Sequence, residues 1–114
     1  MNQTIFDKIL RGEIPSDKVY EDEWVYAFRD IAPRAPVHVL VIPKKKLKSF
    51  AELGSADSLD LGEYFKAIAH VASILGLEKD GYRVIFNHGE NAGQTVDYLH
   101  GHILGGRPLG FLAH

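Results

Sequence analysis

Cysteine is absent from this chain of 114 residues, so it can form neither a disulfide nor a thiolate metal site. An excess of basic charge is also missing, because 13 lysines and arginines are set against 15 aspartates and glutamates. Proteins that bind nucleic acid by neutralising its phosphates usually carry such an excess. The charge balance therefore favours a small molecule or a protein as the partner, and not a nucleic acid.

Long apolar runs are missing as well. The longest strongly apolar stretch, Val39 to Ile42, is far too short to cross a bilayer, so no membrane partner is expected. With 46% hydrophobic and 25% charged residues, the composition is typical of a folded domain, and we expect a single domain over residues 1–114. We expect it in the cytoplasm, because charged residues interrupt the apolar core that a signal peptide needs: Asp7, Lys8, Arg11 and Glu13.

Two helices are predicted from capping residues and apolar spacing. Thr4 and Asp7 stand in a capping-box relation at the start of a short helix, which Gly12 ends. A long helix is predicted over Ser58–Leu75. Its apolar stripe consists of Leu61, Phe65, Ile68, Ala72 and Leu75.

About five strands are predicted around these helices. Two lie between Lys18 and Arg29, and the others cover Val37–Ile42, Tyr82–Asn87 and Asp97–Leu104. The short connections favour an α+β domain with an antiparallel sheet. The cluster Lys44, Lys45, Lys46 and Lys48 after the third strand predicts a solvated turn, with steering of anionic ligands as the alternative.

Two histidines two residues apart are the most informative feature. On a strand, His100 and His102 share one face with Tyr98, because side chains alternate with a period of two. The pair has three interpretations. They are partly exposed histidines on an edge strand, or zinc ligands together with His38, although no carboxylate stands at an obvious ligand spacing. In the third, a neutral imidazole, with a pKa near ~6.5, attacks phosphorus beside the glycine-bearing loop 88–94.

Several separated motifs resemble the histidine triad (HIT) superfamily, and within it the branch of histidine triad nucleotide-binding proteins. The segment 93–96, Gly-Gln-Thr-Val, is followed by His-x-His-Ile-Leu-Gly-Gly-Arg at 100–107. Upstream, residues 12–15 read Gly-Glu-Ile-Pro. Residues 28–44 hold Phe-x-Asp-Ile, two prolines, His38 and a third proline in the order of the family's central signature. The resemblance covers nearly the whole chain.

The resemblance implies a function and a site. Members of this branch hydrolyse adenosine phosphoramidates and aminoacyl adenylates without a metal or other cofactor, as homodimers whose sheet continues across two subunits. By resemblance, His100 is the nucleophile that forms a nucleotidyl-histidine, His102 contacts the phosphate and assists the leaving group, and His38 supports the catalytic network. The implied nucleotide-binding residues are Asp30, Ile31, Asn87, Gly93, Gln94 and Thr95, with Ile5 and Phe6 at the base.

The sequence departs from the family pattern at Tyr98 and Gly101, and also at Arg29 and Asp97. Tyr98 stands where the family has its first triad histidine, so we expect His100 to be held less well and turnover to be slower. Gly101 replaces an apolar residue and is expected to remove packing on the far face of the strand. A nucleotide-binding protein without turnover, a dinucleoside polyphosphate hydrolase and a zinc hydrolase are the alternatives. No role is predicted for Arg29, Asp97 or the segment Pro108–His114.

Overall fold

The computed structural model describes residues 3–111, which form one antiparallel sheet with helices on both faces. In chain order the elements are α1 (Ile5–Leu10), β1 (Lys18–Glu21), β2 (Val25–Arg29), β3 (Val37–Pro43), a 3₁₀ helix (Phe50–Ser55), α2 (Ser58–Ile74), β4 (Tyr82–Ile85), a second 3₁₀ helix (Glu90–Ala92) and β5 (Gly101–Gly105). The strand order is β1-β2-β3-β5-β4, and all neighbouring strands are antiparallel. This confirms the predicted α+β class, with five strands, one short helix and one long helix. No helix within 3–111 is long and apolar enough to cross a membrane.

The strand β3 lies at the centre of the sheet and is apolar on both faces. Val39 and Val41 are fully buried against α2, whereas Leu40 and Ile42 point to the opposite face. On that opposite face they pack with α1, which begins as predicted: Thr4 Oγ1 accepts from the N–H of residues 6 and 7, and the Asp7 carboxylate accepts from the N–H of Thr4 at 2.7 Å. The two faces therefore hold two separate apolar clusters.

The buried stripe of α2 is not the predicted one. Phe65 is 41% exposed, and the stripe consists of Tyr64, Ala67, Ile68, Val71 and Ala72. The predicted spacing of the buried residues along the helix was right, but Tyr64 is buried in place of its neighbour Phe65. Two alanines let the helix approach the sheet closely, and the Tyr64 hydroxyl donates to the carbonyl of Val41 at 2.7 Å.

The last two strands are shorter than predicted. β4 ends at Ile85 and not at Asn87, and β5 begins at Gly101 and not at Asp97. Gly101 is opposite Val41 in the β3·β5 pairing, whereas the N–H of Leu99 donates to a loop carbonyl at residue 47. The chain therefore leaves the sheet just before Gly101, and His100 lies outside the regular strand.

The lysine cluster makes ion pairs with three other elements. Lys44 pairs with Glu21 on β1 at 2.7 Å, Lys45 with Asp60 on α2 at 3.1 Å, and Lys46 with Asp7 on α1 at 2.9 Å. Three of the four lysines thus connect the end of β3 to its surroundings, which neither interpretation of the cluster had indicated.

Candidate functional site

A cavity of about 730 Å³ opens on the sheet face that carries α1. It is lined by α1, by the connection between β2 and β3, by the face of β3, β5 and β4, and by the loop that follows β4. Most of the predicted site residues line it: Ile5, Phe6, Asp30, Ile31, His38, Asn87, Gly93, Thr95, His100 and His102. Gln94 and Tyr98 do not.

The three histidines come together because their strands are neighbours. His38 on β3 is opposite Leu104 on β5, two positions along from the pair Leu40 and His102, so both imidazoles point to the same face. The ring centroids of His38 and His102 lie 5.2 Å apart, and those of His100 and His102 lie 4.9 Å apart. Phe6 of α1 packs edge-on against His100 at 5.0 Å.

Backbone geometry fixes the tautomer of His100. Its Nδ1 lies 2.7 Å from the carbonyl oxygen of Tyr98, which can only accept, so Nδ1 carries the proton. In the neutral ring the lone pair is therefore on Nε2. Burial lowers the pKa of His100 below its ordinary value, because an apolar environment disfavours the imidazolium. The ring is consequently neutral and nucleophilic at pH 7.

A chain of hydrogen bonds fixes the other two tautomers in the same way. The backbone N–H of Arg34 donates to His38 Nδ1 at 3.1 Å, so the proton of neutral His38 is on Nε2. That Nε2 lies 2.9 Å from Nδ1 of His102, which must accept. The proton of His102 is then on its own Nε2, the one buried side-chain polar atom within residues 3–111 that has no hydrogen-bond partner.

The pKa of His102 is lowered strongly, to about 4. Burial is the main cause, and the neighbouring His100 and His38 add to it. Burial likewise lowers the pKa of His38, partly opposed by the charge of Asp30. His102 is thus neutral at pH 7 and carries a buried N–H donor without a partner, and its ring lies next to that of His100 in the lining of the same cavity.

Three potential metal ligands also meet here, and they are not the expected set. Ligand atoms of Asp30, His38 and His102 lie within 4.8 Å of one another, so a carboxylate is present after all and His100 is not part of the group. Histidines that bind a metal normally donate their second ring N–H to an acceptor. His38 does the opposite, because its Nδ1 accepts the N–H of Arg34. This donor set does not fit a divalent metal.

Asp30 lies at the edge of the cavity. Its Oδ1 accepts the N–H of Ala32 at 2.8 Å, and its Oδ2 lies 3.5 Å from Nε2 of His38. Carboxylate oxygens accept more than one hydrogen bond, so Asp30 retains capacity for ligand hydroxyls. Ile31 is 98% exposed at the cavity's rim, where it presents apolar surface.

Gln94 shapes the loop after β4. Its Oε1 accepts the N–H of Gly89 at 2.9 Å, and its Nε2 donates to the carbonyls of Lys48 and Val96 at 2.9 and 3.0 Å. The amide is thus engaged with the backbone of two loops. It positions the segment that carries Gly93, whose φ of +79° suits glycine.

Comparison with known proteins identifies the family of this chain. Residues 11–109 match the HIT domain. The chain belongs to the HIT family. It is 47% identical over 113 residues to the purine nucleoside phosphoramidase of Escherichia coli K12, covering 98% of this chain and 95% of that protein. It is 49% identical over 106 residues to an uncharacterised HIT-like protein of Synechococcus elongatus, with 93% and 92% covered.

Solved HIT structures have the same fold. A HIT family hydrolase from Clostridium thermocellum superimposes with a TM-score of 0.90 at 45% identity, covering 98% of this chain and 97% of that one. A histidine triad protein from Clostridium difficile gives 0.86 at 41% identity, with 98% and 99% covered. The HIT fold inferred from the sequence motifs is therefore confirmed.

Tyr98 in this HIT protein lies beneath the cavity floor. It is 1% exposed, and its hydroxyl donates to the carbonyl of Pro43 at 2.5 Å. We expected His100 to be held less well because Tyr98 replaces a histidine, but the backbone carbonyl of Tyr98, and not its side chain, holds the His100 ring. Any L-residue at this position offers the same carbonyl.

Gly101 does not leave a gap, contrary to expectation. A Cβ built on Gly101 would lie 2.9 Å from Cζ of Phe86, so the Phe86 ring occupies the space of the missing side chain. Arg34 and Phe86 are the functional neighbours that sequence reasoning missed. Arg34 acts through its backbone N–H, which leaves no signal in residue type. For Phe86, the signal available in the sequence was its large aromatic side chain, two positions before the loop 88–94.

Proposed function

We propose that this protein hydrolyses the P–N bond of purine nucleoside phosphoramidates, and the related bond of aminoacyl adenylates, and releases AMP. One observation carries the proposal. Within one cavity, the Nε2 of His100 bears a lone pair and the Nε2 of His102 bears a proton without a partner. Attack at phosphorus needs such a nucleophile beside such a donor. The relative from Escherichia coli, named purine nucleoside phosphoramidase, supports this substrate class.

The first step transfers the nucleotide to His100. The Nε2 lone pair forms a bond to phosphorus while the P–N bond breaks, and its electron pair leaves with the amine, which takes up a proton. The N–H of His102 stabilises the phosphoryl oxygens and the departing nitrogen. The proton that the departing amine takes up comes from solvent, because His102 stays neutral and keeps its own N–H as a hydrogen-bond donor.

The second step returns the enzyme to its starting state. Water attacks the phosphorus of the nucleotidyl-histidine and releases a proton to solvent, the P–Nε2 bond breaks, and AMP leaves with the new oxygen. The electron pair goes back to His100. His38 keeps His102 in the required tautomer through both steps. Neither step needs a metal or other cofactor.

The remaining cavity residues are proposed to hold the nucleotide. Asp30 accepts the ribose hydroxyls, and the apolar group formed by Ile5, Phe6 and Ile31 contacts the base. Three residues after β4 supply donors that contact the phosphate: Asn87, Gly93 and Thr95. Gln94 acts indirectly, by holding the backbone of this loop.

We further propose a homodimer in which the sheet continues across β4. This strand is at the edge of the sheet, and its Tyr82 and Val84 are each 38% exposed. Phe65 and Ile74 of α2 are also exposed apolar side chains, at 41% and 51%. An unpaired edge strand with exposed apolar neighbours is a frequent site of pairing with a second chain.

Tyr98 motivates a second candidate, a purine nucleotide-binding protein without turnover. Its hydroxyl is engaged with Pro43 and contributes no titratable group to the cavity. This candidate predicts AMP binding by wild type with negligible turnover, and activity only after Tyr98→His. A dinucleoside polyphosphate hydrolase is distinguished by comparing substrates.

The test is amine release from an adenosine phosphoramidate in the presence of EDTA. We expect turnover by wild type, unchanged turnover by His70→Ala, an exposed histidine on α2, and loss of turnover by His100→Ala. AMP binding without turnover would establish the second candidate. Turnover abolished by EDTA and restored by zinc would establish a metal-dependent hydrolase.

A further inference from the structure

The hydroxyl of Tyr64 bridges two strands beside the catalytic histidines. It donates to the carbonyl of Val41 on β3 at 2.7 Å and accepts the N–H of Gly101 on β5 at 3.2 Å. These two residues are opposite each other in the strand pairing. Tyr64 itself is only 2% exposed, so neither strand group can exchange this partner for water.

Gly101 is the residue between His100 and His102, so its position sets the spacing of both rings from β3. It is held from a second side as well. Phe86 packs where a Cβ would be, 2.9 Å from that position, and Cδ1 of Ile68 lies 3.3 Å from it. The backbone between the two histidines is thus fixed by a hydroxyl on its N–H and by an aromatic ring on its Cα.

We propose that Tyr64, together with Phe86, is a positioning residue for His100 and His102. His100 lies outside the regular strand, and its ring is tied to the backbone through the carbonyl of Tyr98. A displacement of Gly101 therefore moves the His100 Nε2 with it. The proposal rests on the proposed function, because it assigns that nitrogen to attack on phosphorus.

The consequence of removing the hydroxyl follows from the burial. The N–H of Gly101 and the carbonyl of Val41 would lose their shared partner. They can bond to each other instead only if β3 and β5 move closer together. Such a movement shifts both imidazoles relative to the ribose and base contacts, which belong to α1 and the β2–β3 connection. Attack geometry is sensitive to displacements of this size.

The first test is Tyr64→Phe, which keeps the ring in the core and removes only the hydroxyl. We expect kcat to fall by about tenfold to a hundredfold, as for a displacement of up to ~1 Å. KM should stay within about twofold, because nucleoside contacts are untouched. The matched control is Tyr20→Phe, which removes a hydroxyl that donates to Asp22 at 2.8 Å near the opposite edge of the sheet. This variant should leave kcat unchanged.

A spectroscopic readout separates this proposal from the proposed function. In the nucleotide-free protein, imidazole ¹H–¹⁵N spectra of Tyr64→Phe should show shifted signals for His100 and His102, with His70 unchanged. Shifted rings in a protein whose wild type has no turnover would overturn the proposed function and keep the positioning role. Unshifted rings with unchanged kcat would overturn the positioning role alone.

Variants of Gly101 and Phe86 test the positioning role even if Tyr64→Phe does not fold. Gly101→Ala should push the Phe86 ring and lower kcat, and Phe86→Leu alone should also lower kcat, because the ring that packs against Gly101 is then lost. In the double variant, Gly101→Ala with Phe86→Leu, the smaller side chain frees the space, and at least half of the lost kcat should return. A double variant as slow as Gly101→Ala, with normal thermal stability, would contradict the proposal.

Discussion

Two backbone groups, the carbonyl of Tyr98 and the N–H of Arg34, determine which ring nitrogens of the site carry protons. The carbonyl takes the proton of His100 Nδ1 and leaves the lone pair on Nε2. The N–H acts through His38 and puts the proton of His102 on Nε2. Neutral imidazoles differ only in where their proton is, so these contacts give two identical side chains different chemistry.

The lowered pKa of His100 predicts the acid side of the pH profile. An ordinary histidine loses its lone pair to a proton as the pH falls through 6.5, whereas the buried ring of His100 is protonated only at lower pH. We therefore expect kcat/KM to be maintained at pH 6.5 and to fall only below it. The measurement is the pH–rate profile, corrected for hydrolysis without enzyme. An acid limb with its midpoint at or above 6.5 would contradict this.

Replacing Tyr98 should affect stability more than chemistry. Tyr98→Phe keeps the backbone carbonyl that orients His100 but leaves the buried carbonyl of Pro43 without its partner, at a cost of about 1–3 kcal/mol in the free energy of unfolding. We expect kcat within about threefold of wild type. Denaturant unfolding and steady-state kinetics measure the two effects. A large loss of kcat in a stably folded Tyr98→Phe protein would show that the hydroxyl takes part in the reaction.

At the residue scale, the sequence predicts side chains but not proton positions. His38, His100, His102 and Asp30 were assigned from motif order, and the structure brings all four to one cavity. The contribution of Arg34 could not be predicted, because a backbone N–H is common to all residues except proline. The roles of the nucleotide-binding residues stay predictions until a ligand is bound.

At the scale of elements, α1 connects a local capping motif to nucleotide binding. Its six residues are held by the Thr4 capping box, and its Ile5 and Phe6 line the cavity. Thr4→Ala should lower the free energy of unfolding by about 0.5–2 kcal/mol. Because α1 would fray, we expect KM for the nucleotide to rise severalfold while kcat changes little.

The matched control for this prediction is the N-cap of the other helix. Asp57 accepts from the N–H of Leu59 and Asp60 at the start of α2, away from the cavity-lining residues. Asp57→Ala should lower stability by a similar amount and leave KM unchanged. Equal rises of KM in both variants would show that the effect is a general loss of stability and not a displacement of α1.

Element prediction succeeded where the signals are local. The capping box of α1 and the N-terminal boundary of α2 depend on neighbouring residues, so the sequence indicates them directly. The phase of the buried α2 stripe depends on the sheet beneath it, where the carbonyl of Val41 gives Tyr64 a partner that hydropathy cannot show. The start of β5 depends likewise on its pairing with β3, and the end of β4 depends on its pairing with β5.

At the scale of the whole molecule, the exposed edge of the sheet predicts self-association. Val84→Glu places a charge among the apolar side chains of β4 and α2 and should convert the dimer to a monomer. Sedimentation velocity measures this, with Lys18→Glu on β1, at the opposite edge, as a control that stays dimeric. A wild-type protein that sediments as a monomer at all concentrations would contradict the proposed dimer.

The strand order of the whole sheet was not predicted from the sequence. Alternation and turn residues predict that strands exist, but they do not say that β5 inserts between β3 and β4. That insertion puts His100 and His102 beside His38, about 60 residues away in the chain. The cytoplasmic location stays a prediction.

The stereochemical course at phosphorus tests the nucleotidyl-histidine most directly. The substrate is one stereoisomer of an adenosine phosphoramidate with sulfur in place of a non-bridging oxygen, hydrolysed in ¹⁸O-labelled water. Two in-line displacements, first by His100 and then by water, each invert the phosphorus, so the account predicts net retention. Net inversion would mean that water attacks the substrate directly and would contradict a covalent role for His100.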